Sequence, residues 1–314
     1  MGNVCESGNN RDKLQNISPS PNFYCYDTLA GHEGKITCLK ELNNKNVITG
    51  SNKGEFKIWN LNNVKCEKSI KVENQILCLL EFKPNKLLFG KSNNNIELWD
   101  INYDSSAKKI HTFRGHRYWV TDLTKCDENN YFASSSNDGD IRIWDFNKKD
   151  CIRVLNNNNI NILCLIKLNN GYLCSGNADF TIKIWDWNNQ ICEDCFRGHI
   201  NFVKSLCQLK TGEIVSGSDD TTIRVWKNNN DFYELRGHLK AVRCVCLLYD
   251  QYISSASFDG TIKIWNLYYK SCIQTLNGHR DFVTGIIFHT IGILISASND
   301  KTMRLWMNTK ELKS

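Results

Sequence analysis

Residues 257–266 read SFDGTIKIWN, and this stretch decides the fold. A turn-forming Asp-Gly pair precedes Ile262 and Ile264, which alternate with Lys263 up to Trp265. That is a period-two strand entered through a tight turn. The phrase recurs as SNKGEFKIWN (51–60), SNDGDIRIWD (136–145), GNADFTIKIWD (176–186) and SDDTTIRVWK (218–227). Seven tryptophans close seven such segments: Trp59, Trp99, Trp144, Trp185, Trp226, Trp265 and Trp306, spaced 40, 45, 41, 41, 39 and 41 residues apart. Self-similarity at a period of about forty residues marks a repeat architecture.

Outward from Trp265, each unit holds four strands. KAVRCVCLL (240–248) and QYISSAS (251–257) precede TIKIWN, and SCIQTLN (271–277) follows it. The alternation predicts an all-β protein with one four-stranded antiparallel sheet per unit. Gly-His pairs stand at 31–32, 115–116, 198–199, 237–238 and 278–279, and Trp-Asp occurs at 99–100, 144–145 and 185–186.

These residues resemble the WD-repeat family, over residues 23 to 306. The resemblance implies a seven-bladed β-propeller around a channel. The seventh unit ends near Trp306 without a fourth strand, whereas NFYCYDTLAGH (22–32) is a spare one ahead of the first Gly-His. The family implies that this segment completes blade seven and covers an open sheet edge. The chain then divides into an arm, residues 1–22, and a propeller, residues 23–314.

Histidine, serine and aspartate recur together, which raises the question of a hydrolase triad. The sets are His116, Ser134, Asp138 with Trp144; His199, Ser216, Asp220 with Trp226; His238, Ser255, Asp259 with Trp265; and His279, Ser296, Asp300 with Trp306. Four copies of one active site around a ring would be odd, and a triad also needs an oxyanion hole and a leaving-group pocket. The family implies a structural chain instead, from indole to hydroxyl to imidazole to turn aspartate. Donor and acceptor types fit that chain. Blade one has His32 and Thr49 but Lys53 at the aspartate position; blade two has Val72, Phe89 and Asn93; blade four has Asn158 in place of histidine. Blades one, two and four are therefore expected to open more readily than blades five to seven.

Composition narrows the function classes. A net charge of +6 and a pI near 8.5 fall short of a nucleic-acid binder's basic surface. The 15 cysteines are odd in number, and the polar N-terminus lacks a signal peptide's apolar core, so free thiols in a cytoplasmic, reducing setting are expected. Cys192-x-x-Cys195 is the one CxxC and has no partner pair, so no metal or cofactor is expected. No carboxylate pair, metal cluster or phosphate loop stands outside the repeats, which points away from an enzyme.

Function is then sought on a surface. The resemblance implies that the narrow face binds proteins or peptides through three positions per blade. Three residues after the histidine position stand Lys35, Gln75, Trp119, Asn161, Phe202, Ala241 and Phe282. Five after it stand Thr37, Leu77, Thr121, Leu163, Lys204, Arg243 and Thr284. Before the turn aspartate come Asn52, Ser92, Asn137, Ala178, Asp219, Phe258 and Asn299. Trp119, Phe202, Phe258 and Phe282 are expected to converge near the channel mouth with Lys35, Lys204 and Arg243. Aromatics beside cations suit an apolar anchor flanked by acidic or phosphorylated groups.

Met1-Gly2-Asn3-Val4-Cys5 resembles a myristoylation signal, with Cys5 placed for palmitoylation, although Glu6 stands where serine or threonine is asked for. Acylation of Gly2 and Cys5 would bring a membrane surface into reach. The sequence thus reads as a monomeric, non-enzymatic interaction scaffold or adaptor. A substrate-recognition subunit of an assembly such as a ubiquitin ligase, or a G-protein β-like subunit, are the alternatives.

Overall fold

The structure, a computed structural model, describes residues 20–101, 107–127 and 130–309. The acylation signal at Gly2 and Cys5 lies outside the described residues. Among those described there is no helix, and 28 strands form seven four-stranded antiparallel sheets. Blades one to six run 36–71, 76–113, 120–156, 162–196, 203–235 and 242–276. Blade seven takes its first three strands from 283–308 and its fourth from Phe23–Ala30, which pairs antiparallel with Thr302–Asn308. Successive first strands touch around the ring, and that of blade seven touches that of blade one.

The apolar core is seven cores, one between each pair of adjacent blades. Each blade is a twisted sheet with two apolar faces, so neither face is covered until a neighbour arrives on each side. The closing strand serves two of these cores. Phe23 packs with Leu248, Tyr252 and Trp306 between blades six and seven, and Leu29 packs with Ile36 and Trp59 between blades seven and one. Gln274 of blade six fastens its start, accepting from Phe23 N–H at 2.9 Å and donating to Phe23 O at 2.6 Å.

Near the channel the blades approach closely, which explains several cysteines. Cys38, Cys78 and Cys164 lie over Gly50, Gly90 and Gly176 of the adjoining strand and against Ile76, Val120 and Val203 of the next blade. A Cβ on Gly90 or Gly176 would collide with that sulfur. Other cysteines, Cys66, Cys151, Cys192 and Cys272, sit opposite the blade tryptophan where the fourth strand bulges. All described cysteines are free thiols.

The polar chains form in all four complete blades. In blade three Trp144 Nε1–H donates to Ser134 Oγ at 2.8 Å, Ser134 meets His116 Nε2 at 2.6 Å, and His116 Nδ1 meets Asp138 at 2.9 Å. One direction of donation satisfies every atom: indole to hydroxyl, hydroxyl to Nε2, Nδ1–H to carboxylate. The corresponding contacts in blades five, six and seven lie between 2.7 and 2.9 Å. Burial raises the carboxyl pKa of Asp138, Asp220, Asp259 and Asp300, but the imidazole and neighbouring N–H or hydroxyl donors outweigh it and hold them well below the usual range. The four imidazole side chains are buried inside these chains.

The three irregular blades each build a substitute. In blade one Trp59 Nε1–H donates to Thr49 at 2.8 Å, His32 joins Thr49 at 2.7 Å, and Glu55 takes the carboxylate's place at 2.9 Å from His32 Nδ1. The longer Glu55 reaches from the third strand what Lys53 cannot supply from the turn. In blade four the buried residue is Asn157, and Asn158 is exposed, which corrects the expected assignment. Asn157 Nδ2–H donates to Asn177 at 3.1 Å, Ser175 donates to Asn177 at 3.2 Å, and Trp185 donates to Ser175 at 2.9 Å. Blade two is ionic: Glu97 accepts from Trp99 Nε1–H and from the fully buried Lys91 ammonium, each at 3.0 Å, with Lys109 3.5 Å away. Phe89, in the serine's place, packs on Phe56 at 4.9 Å.

Candidate protein-interaction site

The Gly-His loops and the turn aspartates lie on one face, because each histidine is bonded to its aspartate there. Alternation along the first strands aims every second side chain at the channel. All seven fifth-position residues, Thr37, Leu77, Thr121, Leu163, Lys204, Arg243 and Thr284, line one cavity of about 250 Å³ at the channel mouth. Gln75, Trp119 and Asn137 complete its wall. A deeper cavity of about 400 Å³ continues between the first strands.

The threonine hydroxyls are already engaged. Thr37 donates to Ile76 O at 2.5 Å, Thr121 to Ile162 O at 2.7 Å and Thr284 to Ile36 O at 2.7 Å, each tying its blade to the next. The side chains at the mouth that remain open to a contact are the cations and Trp119. Lys204 faces Asp219 at 3.7 Å; burial lowers the Lys204 pKa and raises that of Asp219, each partly offset by the other's charge. Arg243 Nη1–H donates to Lys204 O at 3.4 Å, and no carboxylate among the described residues pairs with it. Trp119 is 50% exposed, beside the exposed Arg117 and Tyr118.

The other face residues do not line this cavity. Phe202 lies outward, with Lys204 Nζ 4.9 Å from its ring and Phe180 at 5.9 Å. Phe258 and Phe282 are half-buried and stacked on each other at 4.4 Å, with Lys240 5.6 Å from Phe282. Lys35 is exposed. The structure thus gathers Trp119, Lys204 and Arg243 at the mouth and leaves the phenylalanines of blades five, six and seven outside its lining.

The family model for the WD domain, G-beta repeat, matches residues 23–60, 107–145, 149–186, 190–227, 230–266 and 270–307, well over half of the chain. The chain belongs to the WD40 family. The unmatched residues 61–106 include the first three strands of blade two, the blade with the lysine–glutamate network. The chain is also similar to nuclear distribution protein PAC1 of Gibberella zeae, 48% identical over 44 residues, which is 14% of this chain. It spans about a tenth of that relative's length, since the match covers 10% of it. A WD40 propeller fits a protein-interaction scaffold.

Within this WD40 ring, Asp122 is a polar residue that the sequence did not single out. It stands six places after His116, where blades one, two, four and six hold cysteine, and its carboxylate accepts from Leu165 N–H of blade four at 3.0 Å and Leu123 N–H at 2.9 Å. Burial pushes its pKa up, against the pull of Lys40, both N–H groups and Arg243. A carboxyl whose folded pKa is raised binds more protons folded than unfolded, so its contribution falls as pH climbs above 3.8 through the raised value. Ser205 holds the same place in blade five and accepts from Val245 N–H at 3.0 Å. Asp122→Ser is therefore expected to gain on the wild type as pH rises above 3.8 in urea titrations. A stability difference independent of pH would refute the assignment.

Proposed function

We propose that this protein is a non-enzymatic adaptor that holds protein partners on its Gly-His face. An acidic or phosphorylated side chain enters the mouth between Lys204 and Arg243, and an apolar neighbour lies on Trp119. One observation carries this reading: the mouth cavity joins a half-exposed tryptophan to a guanidinium that makes no ion pair within 4 Å among the described residues, although the Asp122 and Asp219 carboxylates attract it from farther off. The hydroxyls that might have competed for the anion are engaged between blades. An anion here meets two cations in a concave, partly desolvated setting, where charge complementarity acts more strongly than on open surface.

Trp119→Ala and Arg243→Glu test it. Each is expected to weaken partner capture at least about tenfold, the scale of an interface hot spot, with an unchanged melting curve. Capture by both variants equal to the wild type would remove this face from consideration.

A further inference from the structure

We infer that a raised apolar ridge on the Gly-His face, centred on Phe180, is the second half of the partner site and takes hydrophobic side chains of an acidic segment of another protein. This inference rests on the adaptor reading above.

The ridge begins with a backbone oddity. In every blade the residue after the turn aspartate position has a left-handed φ: Gly54, Asn94, Gly139, Phe180, Thr221, Gly260 and Lys301, between 65° and 83°. Three blades use glycine, which adopts that conformation without a Cβ clash. Blade four places a phenylalanine there, the bulkiest of the seven, where a large side chain is disfavoured. Burial does not explain the choice. Phe180 is 37% exposed, and its ring contact is the neighbouring blade's Phe202, itself 38% exposed. A strained position that yields an exposed ring rather than a packed one is the pattern of a contact site.

The surroundings are apolar in the same direction. Ile200, 79% exposed, and Leu239, 86% exposed, follow the histidines of blades five and six, with their N–H groups bonded to Asp220 and Asp259. Those bonds fix the loops and turn both side chains to solvent. Isolated exposed apolar residues need no explanation, but several on a face that also carries a strained aromatic do.

Charge complementarity names the occupant. Lys204 touches the Phe202 ring on the channel side, Arg243 leans on Lys204, and Lys240 adjoins Leu239 in the chain. A segment lying from ridge to mouth meets apolar ground first and then Lys240, Arg243 and Lys204, of which Lys204 already faces Asp219. Its chemistry is therefore aliphatic or aromatic anchors followed by carboxylates or phosphates.

The test uses the full chain and a phage-displayed library of random 16-residue peptides. Selected peptides are synthesised and their affinities measured by fluorescence anisotropy on the wild type, Phe180→Gly, Leu239→Ser, Trp119→Ala and Arg243→Glu. The selected sequences are expected to pair apolar anchors with acidic residues. Phe180→Gly should bind them at least about tenfold more weakly, yet melt no lower than the wild type, since glycine relieves the strained turn. Peptides that lose affinity to Trp119→Ala and Arg243→Glu but not to Phe180→Gly or Leu239→Ser would overturn the ridge and leave the mouth reading standing. Indifference to all four variants, or no peptide above background, overturns both. A wild-type dimer in sedimentation velocity that Phe180→Gly dissociates would make the ridge a self-association surface and overturn the proposal.

Discussion

Deletion of residues 23–29 is expected to abolish the folded monomer, read as loss of the cooperative melting transition and of the compact species in size-exclusion chromatography. The segment supplies the fourth strand of blade seven and places side chains in the cores on both sides of that blade. Phe23 is 2% exposed and Leu29 8%. Truncating a buried phenylalanine costs about 3–5 kcal/mol and a buried leucine about 2–5 kcal/mol. Together these approach the whole stability of an ordinary domain, about 5–15 kcal/mol, before any strand hydrogen bond is counted. The single variant Phe23→Ala should fold and lose about 3–5 kcal/mol in urea titrations. A deletion protein with wild-type melting would show that six closed blades and an open seventh suffice.

The second large effect belongs to blade two. Glu97→Ala removes the main counter-charge of Lys91, whose side chain is fully buried. Leaving one member of a buried pair alone costs about 3–5 kcal/mol. Burial already lowers the Lys91 pKa, with Glu97 opposing that shift, so removing Glu97 lowers it further. A lysine with a depressed folded pKa binds more protons unfolded, so the defect should ease as pH rises towards 10.5. Replacing Lys91 and Glu97 together by methionine should recover most of the loss, because a buried pair and an apolar substitute are often close in stability. Hydrogen exchange in Glu97→Ala should accelerate first in residues 76–113, and uniform acceleration across the ring would contradict a local origin.

Architecture was legible because it is written in the spacing of Trp59 to Trp306 and in the Gly-His and turn signals, which survive one-dimensional reading. The regular networks were expected from the family resemblance, on residues whose spacing recurs in four blades. The substitutes were not. Glu55 stands on the third strand rather than in the turn, and only its extra methylene and the strand's direction let it reach His32. Asn157 and Asn158 are adjacent in a run of four asparagines, and which one turns inward depends on backbone conformation. At the candidate site, the fifth-position residues were readable as a ring because alternation is fixed, and all seven meet in one cavity. The phenylalanines were placed less well: Phe258 and Phe282 prefer each other's faces to the channel. Phe180 carried a signal that went unread, a bulky residue where three sister turns have glycine.

The pairing of Phe23 with Asn308 also sets a schedule for making this protein. A ribosome emits the closing strand early and its partner nearly three hundred residues later. At about 5–20 residues per second, Phe23 and Leu29 wait roughly 15–60 s with their apolar surface uncovered. During that interval blades one to six can stack one by one, but the ring stays an open crescent with two sticky ends. Such a chain invites chaperone attention or pairing with another nascent copy, and protection comes only when residues 302–308 emerge. Slower synthesis is thus expected to lower the folded yield of this protein, read as the soluble monomer fraction in size-exclusion chromatography.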